Sequence, residues 1–439
     1  VKVALKEFES FSTTRVRLGG AQTDRYTHNF AAALFTHETS RALDPHLHTH
    51  CIVFNATFDP VEQRWKALQN YELLRARKFA ENSYYHELAR ELKHCGYQIR
   101  NQARGDFEIE GISNDLCERF SKRHFQIDEA IKKLLVEKPE FAQGDIMAMR
   151  RLVATAERQR KQQDLNPAEL RILWDAQMTA GERMSLRQIA ENLPILSKKQ
   201  VSLAEAVQWA EEHLFDRNSV VLECQIWQRA LERARGQDFS VAELKECTRQ
   251  RAYLRDAERP GEVTVREVLM REKEIVQIAR DGIGACHSLV WQTRPANPQL
   301  DAEQLRVLES LLGSIHAVSI FRGGAGTGKS FVLRELVGQV RESGRAVIVL
   351  APQRQQVVDM EKAGFPDPNT VASFLQRGEL PKDALMVVDE AGQIGGRQML
   401  DLLRLARDRN ARVILSGDTR QHGAVEGMLQ PSYIGRTAG

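Results

Sequence analysis

The sequence predicts a multidomain protein in which an α+β part built on an antiparallel sheet is followed by a helical connector and an α/β part built on a parallel sheet. Three observations carry this expectation. Histidines alternate with other residues through positions 45–56 (PHLHTHCIVFNA) and run into a β-branched, apolar segment that reads as a strand. Positions 113–203 are helical in pattern and highly charged. From Leu300 onward, short apolar runs alternate with helical ones, which implies a parallel sheet covered on both faces. The expected divisions are 1–125, 126–200, 201–295 and 296–439.

The chain has 439 residues, enough for two or three domains, and its 42% hydrophobic and 28% charged content suits a globular protein with a sizeable core. The formal net charge of +3 does not by itself point to nucleic acid. Six cysteines are scattered without a C-x-x-C pair, as expected of reduced thiols in a cytosolic protein. No apolar run is long enough to span a membrane, and no secretory signal opens the chain, so no membrane insertion is expected. The first residue is Val1, which leads us to expect an internal piece or a processed chain.

In order, positions 4–11 read as the end of an amphipathic helix and 13–18 as a short basic strand. Tyr26 falls in an expected loop, and 29–36 reads as a strand. The Asp44-Pro45 turn precedes the histidine strand, expected over 47–57. Arg64 to Leu68 then leads into a helix over about 72–96, followed by a hairpin at 97–100 and 107–109. The basic run at 150–161 reads as a solvated helix face. Helices are expected at 204–215, 222–235, 240–251 and 264–279, the last opened by a Thr264-Val-Arg-Glu267 capping box. In the C-terminal part, helices are expected at 302–312 and 330–343 and strands at 317–321, 346–350, 385–388 and 413–415.

Two stretches carry chemistry. In a strand, residues at i, i+2 and i+4 face one side, so His46, His48 and His50 would present three imidazoles together. Three such ligands leave a position open for substrate, and the spacing leaves magnesium, manganese and zinc all in play. The second stretch is Gly323-Gly324-Ala325-Gly326-Thr327-Gly328-Lys329-Ser330, a G-x-x-x-x-G-K-[ST] loop between a strand and a helix. Its backbone amides would cradle phosphates at a helix N-terminus, Lys329 would meet the β- and γ-phosphates, and Ser330 would ligate Mg²⁺. Asp389 and Glu390 end a later strand, where a Mg²⁺ ligand and a water-polarising base belong. Gln421, after a third strand, could sense the γ-phosphate. Together these indicate hydrolysis of a nucleoside triphosphate, ATP with Mg²⁺.

The run Arg41-Ala42-Leu43-Asp44-Pro45-His46-Leu47-His48-Thr49-His50 followed by a P-loop resembles the MobF-type conjugative relaxase–helicases, the TrwC/TraI family. The resemblance covers about 1–125 and 200–425. It implies an HUH-like relaxase sheet in which His46, His48 and His50 hold a divalent metal against the scissile phosphate of single-stranded DNA at a transfer origin. It also implies a RecA-like helicase lobe of superfamily 1B that moves 5′ to 3′. By the same resemblance Gln304 reads adenine, Pro352 and the segment from Thr370 to Ser373 grip the DNA backbone, and Gln421 belongs to the third helicase motif. Relaxosome accessory proteins, a type IV secretion coupling protein and the bacterial cytoplasm are implied as partners and setting.

The family's nucleophilic tyrosine lies well upstream of the histidines, and a second helicase lobe lies downstream. The expectation is therefore of a middle piece of a longer protein, with Tyr26 a poor stand-in for the nucleophile. Two other readings compete: a repair-type helicase of the same superfamily with a degenerate N-terminal domain, and a non-catalytic remnant that binds metal, nucleotide and single-stranded DNA.

Overall fold

The structure is a computed structural model that describes residues 1–102, 106–137, 149, 153, 165–191, 201–216, 218–257, 259–290, 297–324 and 327–417. The basic run at 150–161 lies almost entirely outside these residues. The chain folds as two compact units, one made of Val1–Ala206 with Trp227–Lys245 and the other of Val207–Ile226 with Glu246–Gly439.

The first unit is α+β, with small antiparallel sheets. After the helix Lys2–Glu9, strands β1 (Thr13–Leu18) and β2 (Ala21–Tyr26) form a hairpin. Strands β3 (Ala32–Thr39) and β4 (Pro45–Val53) form a ribbon, and β5 (Thr57–Asp59) pairs with β6 (Arg64–Lys66). The short β7 (Leu68–Gln69) adds to β1. β8 (Ile99–Asn101) and β9 (Phe107–Ile109) make the expected hairpin.

One local expectation is corrected here: Tyr26 ends strand β2 and does not sit in a loop. Arg64–Lys66, in the segment that leads into the helix Tyr71–His94, is itself a strand, and buried Asp59 draws its ribbon together. Its carboxylate accepts from Arg25 at 2.8 Å and from Lys66 at 3.4 Å, and from the N–H of Val61 at 2.9 Å. The histidine strand β4 pairs with β3 alone among the described strands, so it is half of a ribbon and not the middle of a wider sheet.

The long helix Tyr71–His94 buries Leu73, Ala76, Phe79, Asn82, Ser83, His86 and Ala89, a stripe at helical spacing. Against it lies the 227–245 segment: Phe79 meets Trp227 with ring centroids 5.1 Å apart, and the His86 ring meets the Phe239 carbonyl at 2.8 Å. Buried Arg235 donates to Asn82 at 2.5 Å and lies over the Tyr85 ring. Burial holds the His86 imidazole at a pKa of about 4, so it is neutral here. The helices Asn114–Arg119, Lys122–Glu137, Pro167–Ala176 and Ala180–Glu191 follow.

The second unit opens with a three-stranded sheet not expected from sequence: β10 (Val221–Leu222), β11 (Leu254–Arg255) and β12 (Glu262–Thr264) in the order β10-β12-β11. Thr264 belongs to this sheet. Its hydroxyl donates to the Ser219 carbonyl at 2.6 Å, so the expected capping box does not form and the helix Arg266–Asp281 starts after Val265.

The remainder is a five-stranded parallel sheet of β13 (Val318–Arg322), β14 (Val347–Ala351), β15 (Asn369–Thr370), β16 (Leu385–Val388) and β17 (Arg412–Gly417). The strand order is β13-β17-β16-β14-β15. Period-two alternation divides its side chains between two cores. Met386, Val388, Val413, Leu415 and Leu350 meet the helices Arg266–Asp281 and Gly396–Asp408 on one face. Leu385, Val387, Ile414, Val349 and Ala351 meet the helices Ala302–Gly313, Lys329–Glu342 and Arg354–Lys362 on the other. Every residue of β16 is buried, which is why that strand reads as an unbroken apolar run. No described helix is long and apolar enough to cross a membrane.

Candidate nucleotide and metal sites

The phosphate loop leaves β13 and enters the helix Lys329–Glu342 through Gly328, which has φ +76°, a conformation that a side chain would strain. Ala325 and Gly326 lie outside the described residues. The others join β13 to the helix Lys329–Glu342. Gly323 and Gly324 follow the strand, and Thr327 turns its hydroxyl onto the Gly324 carbonyl at 2.9 Å. Buried Lys329 curls back so that its ammonium donates to the Gly323 carbonyl at 2.7 Å, inside the loop it would use to hold phosphate. Exposed Ser330 follows it. Gln304, in the first turn of the helix Ala302–Gly313, donates to the Thr327 carbonyl at 3.2 Å and so lies against the loop.

Asp389 and Glu390 follow β16, and β17 lies between β16 and the phosphate-loop strand. The Asp389 carboxylate accepts the Glu390 N–H at 3.0 Å. Glu390 has φ +47°, a left-handed conformation costly for a residue with a side chain. Strand β17 ends at Gly417 beside the loop, with the Gly323 N–H on the Gly417 carbonyl at 3.4 Å. Gln421 lies outside the described residues.

Pro352 follows β14, and Thr370 ends β15. The register Ala351↔Thr370 brings both to the carboxyl edge of the sheet. The Thr370 hydroxyl caps the helix Val371–Arg377 by accepting the Ser373 N–H at 3.2 Å, and the Ser373 side chain is exposed.

On β4, His46, His48 and His50 share one face, as their alternation requires. Ring centroids lie 4.5 Å apart for His46 and His48, and 5.0 Å apart for His48 and His50. The sequence reading missed a fourth member. His37 on β3 is the cross-strand partner of His48, and its ring lies 5.5 Å from that of His48 and 5.4 Å from that of His50. A lone histidine in FTHETS carries no periodic signal; only strand pairing reveals it.

The four rings are not equivalent. Two imidazoles bound tetrahedrally to one ion, with metal–nitrogen bonds of about 2.1 Å, place their centroids about 5 Å apart with planes inclined. His37, His48 and His50 have that spacing. His46 lies nearly parallel to His48, at 21°, and nitrogen lone pairs in parallel planes do not meet at one ion. The His48 Nδ1 engages the His46 carbonyl at 2.8 Å, which leaves Nε2 as its free nitrogen. Burial first, and the neighbouring His48 second, lower the His46 pKa. Among the described residues no three His, Cys, Asp or Glu side chains are already converged for a metal, so side-chain rotation would have to complete a site. The ring spacing and the free His48 nitrogen fit such an ion.

The turn before β4 is tightly held. The Ser40 hydroxyl accepts the N–H groups of Ala42 and Asp44 at 3.2 Å each, and Leu43 takes φ +61°. Buried Asp44 accepts the Lys122 N–H at 3.0 Å and pairs with its ammonium at 3.0 Å. The Trp174 indole donates to the Leu43 carbonyl at 2.7 Å.

Comparison with known proteins matches residues 1–180 to the TrwC relaxase family and 299–429 to the AAA domain family. The multifunctional conjugation protein TraI of Escherichia coli strain K12 is 23% identical over 98% of this chain. The chain spans about a quarter of that relative's length, 25%. A second Escherichia coli TraI is 33% identical over 30% of this chain and 8% of its own length. A metal-bound structure of the conjugative relaxase TrwC in complex with OriT DNA is 30% identical, with a TM-score of 0.36 over 40% of this chain and 58% of that one.

Proposed function

We propose that this chain, which matches the TrwC relaxase family in one part and the AAA domain family in another, is of the conjugative relaxase–helicase type and couples strand transfer on single-stranded DNA to ATP-driven movement along it. The observation that carries the relaxase half is the histidine cluster across β3 and β4. His48, His50 and His37 would hold a divalent metal, with His46 stacked on His48. An all-imidazole donor set favours zinc over manganese or magnesium. When bound, the ion would neutralise charge on the non-bridging oxygens of the scissile phosphate; strand transfer exchanges the P–O bond to the leaving 3′ oxygen, released as a hydroxyl, for one to a tyrosine oxygen that gives up its proton. The turn at Ser40 to Asp44 fixes the register that keeps the imidazoles on one face, presented to the DNA.

In the helicase half, Lys329 would leave the Gly323 carbonyl for the β- and γ-phosphates, and Ser330 and Asp389 would hold Mg²⁺. Glu390 would polarise the attacking water, Gln421 is the residue assigned to sensing the γ-phosphate, and Gln304 would read the base. Pro352 and the Thr370 to Ser373 segment grip the DNA backbone on a RecA-like lobe that moves 5′ to 3′. The histidine ribbon belongs to an HUH-like relaxase sheet, and the division at about 125, 200 and 295 is part of the same reading. Transfer-origin DNA, relaxosome proteins and a secretion coupling protein are the proposed partners, in the bacterial cytoplasm.

The test uses the full chain. Lys329→Ala should abolish binding of a fluorescent ATP analogue and leave zinc-dependent binding of a labelled single-stranded oligonucleotide intact. His48→Ala should do the reverse. If either variant loses both activities while circular dichroism shows it folded, the assignment of separate sites is wrong.

A further inference from the structure

Three glutamines join the loop after the carboxylate strand to the loop after its neighbour. Asp389 and Glu390 follow β16, and the next turn, Ala391–Gln393, ends in Gln393. Adjacent strand β14 runs through Ala351 and Pro352 to Gln353, which precedes the helix Arg354–Lys362. The Gln393 side-chain oxygen accepts from Gln353 Nε2 at 3.1 Å and from Gln356 Nε2 at 3.0 Å. Gln356 Oε1 in turn accepts the Gln353 backbone N–H at 3.0 Å.

The amide orientations follow from this last bond. A backbone N–H can only donate, so Gln356 must present its oxygen to Gln353 and its NH₂ to Gln393. Gln393 must then present oxygen, and that one atom receives both donors. The part-buried Gln393 thereby ties the turn beside the nucleotide carboxylates to the first turn of the next helix.

We propose that Gln393 is a positioning residue that couples occupancy of the nucleotide site to the grip of the Pro352 segment on single-stranded DNA. This rests on the assignment of that segment to DNA binding. A shift of Asp389 and Glu390 on meeting Mg²⁺ and phosphate moves the short turn that follows them. The two amide bonds carry that movement to Gln353 and hence to Pro352.

The acceptor requirement sets the test. Gln393→Glu keeps an oxygen that both amides can reach; Gln393→Met keeps the bulk and loses the acceptor. The readout is linkage: the affinity of the full chain for a labelled oligo(dT), measured with and without a non-hydrolysable ATP analogue and Mg²⁺. In the parent, nucleotide should change DNA affinity by about fivefold or more. In Gln393→Met that ratio should fall to near one, and in Gln393→Glu it should persist. A packing role would give the opposite order, with Met tolerated and Glu harmful, and would overturn the proposal. A parent chain that binds oligo(dT) with no nucleotide linkage would likewise overturn the coupling, and one that does not bind it would instead remove the DNA-binding assignment beneath it. Linkage retained in Gln393→Met would remove the coupling role alone.

Discussion

Replacing His37 should weaken metal binding far more than replacing His46, although the alternating sequence pattern singles out His46. The reasoning is geometric. The rings of His37, His48 and His50 stand 5.0–5.5 Å apart, the spacing of imidazoles around one ion, whereas His46 stacks on His48 at 4.5 Å and 21°. Structural zinc sites with four ligands supply roughly 10–16 kcal/mol, or about 3 kcal/mol per ligand. Loss of one ligand thus corresponds to about two orders of magnitude in Kd. His46 contributes only a stacked ring, so its loss should cost less than about threefold on the same scale. Competition with a chromogenic chelator, run separately with zinc and manganese on His37→Ala and His46→Ala, measures both. Circular dichroism and a His37→Asn variant guard against misfolding. A large loss for His46→Ala beside a parental value for His37→Ala would refute the argument.

Three further outcomes follow from the geometry. Asp44→Ala leaves the Lys122 N–H and ammonium without their carboxylate. It should cost about 1–3 kcal/mol in urea unfolding and weaken metal binding, because the turn that sets the histidine strand loosens. In Asp59, burial pushes the carboxyl pKa up, but the Val61 N–H, the Arg25 guanidinium and the Glu62 N–H outweigh it and hold it at about 2. Its folded-state value lies below the ordinary 3.8, so its contribution is fully present above that pH and is lost as pH falls through about 2. Asp59→Asn should therefore flatten the acid-unfolding curve between those values, and superimposable slopes would contradict the assignment. Glu390→Gln should leave nucleotide affinity within a few-fold and lower ATP turnover by about 10²–10⁴, as expected for loss of a general base, in a steady-state phosphate-release assay.

What could be read from sequence divides along a physical line. The P-loop and the Asp389-Glu390 pair are each contiguous in sequence, and β16, which leads into the pair, is buried on both faces, so an apolar run announces it. Strand β16 was legible to its last residue for that reason. The histidine alternation was legible because period two is a local property. His37 was not, because its role is set by register with His48 across a turn. The strand Arg64–Lys66 is not legible in sequence, because three residues are too few for a period and the interaction that organises them, the Asp59 carboxylate with Arg25 and Lys66, spans distant positions. Thr264 showed the reverse failure: a local capping pattern was present, but the hydroxyl found the Ser219 carbonyl in a sheet that only the fold creates.

The β3–β4 ribbon carries a final consequence. A slip of one residue between its strands would send the histidines of β4 to one side and leave His37 on the other. In most sheets burial of one face forbids such a slip. Here neither face decides, since Leu47 is 74% exposed and Phe35 51%. The alignment is indexed instead from the turn, by Ser40, Leu43, Asp44, Lys122 and Trp174. A single residue inserted into that turn would therefore misalign every ring at once without altering one histidine, so the spacing of the turn is as much a determinant of the site as its ligands.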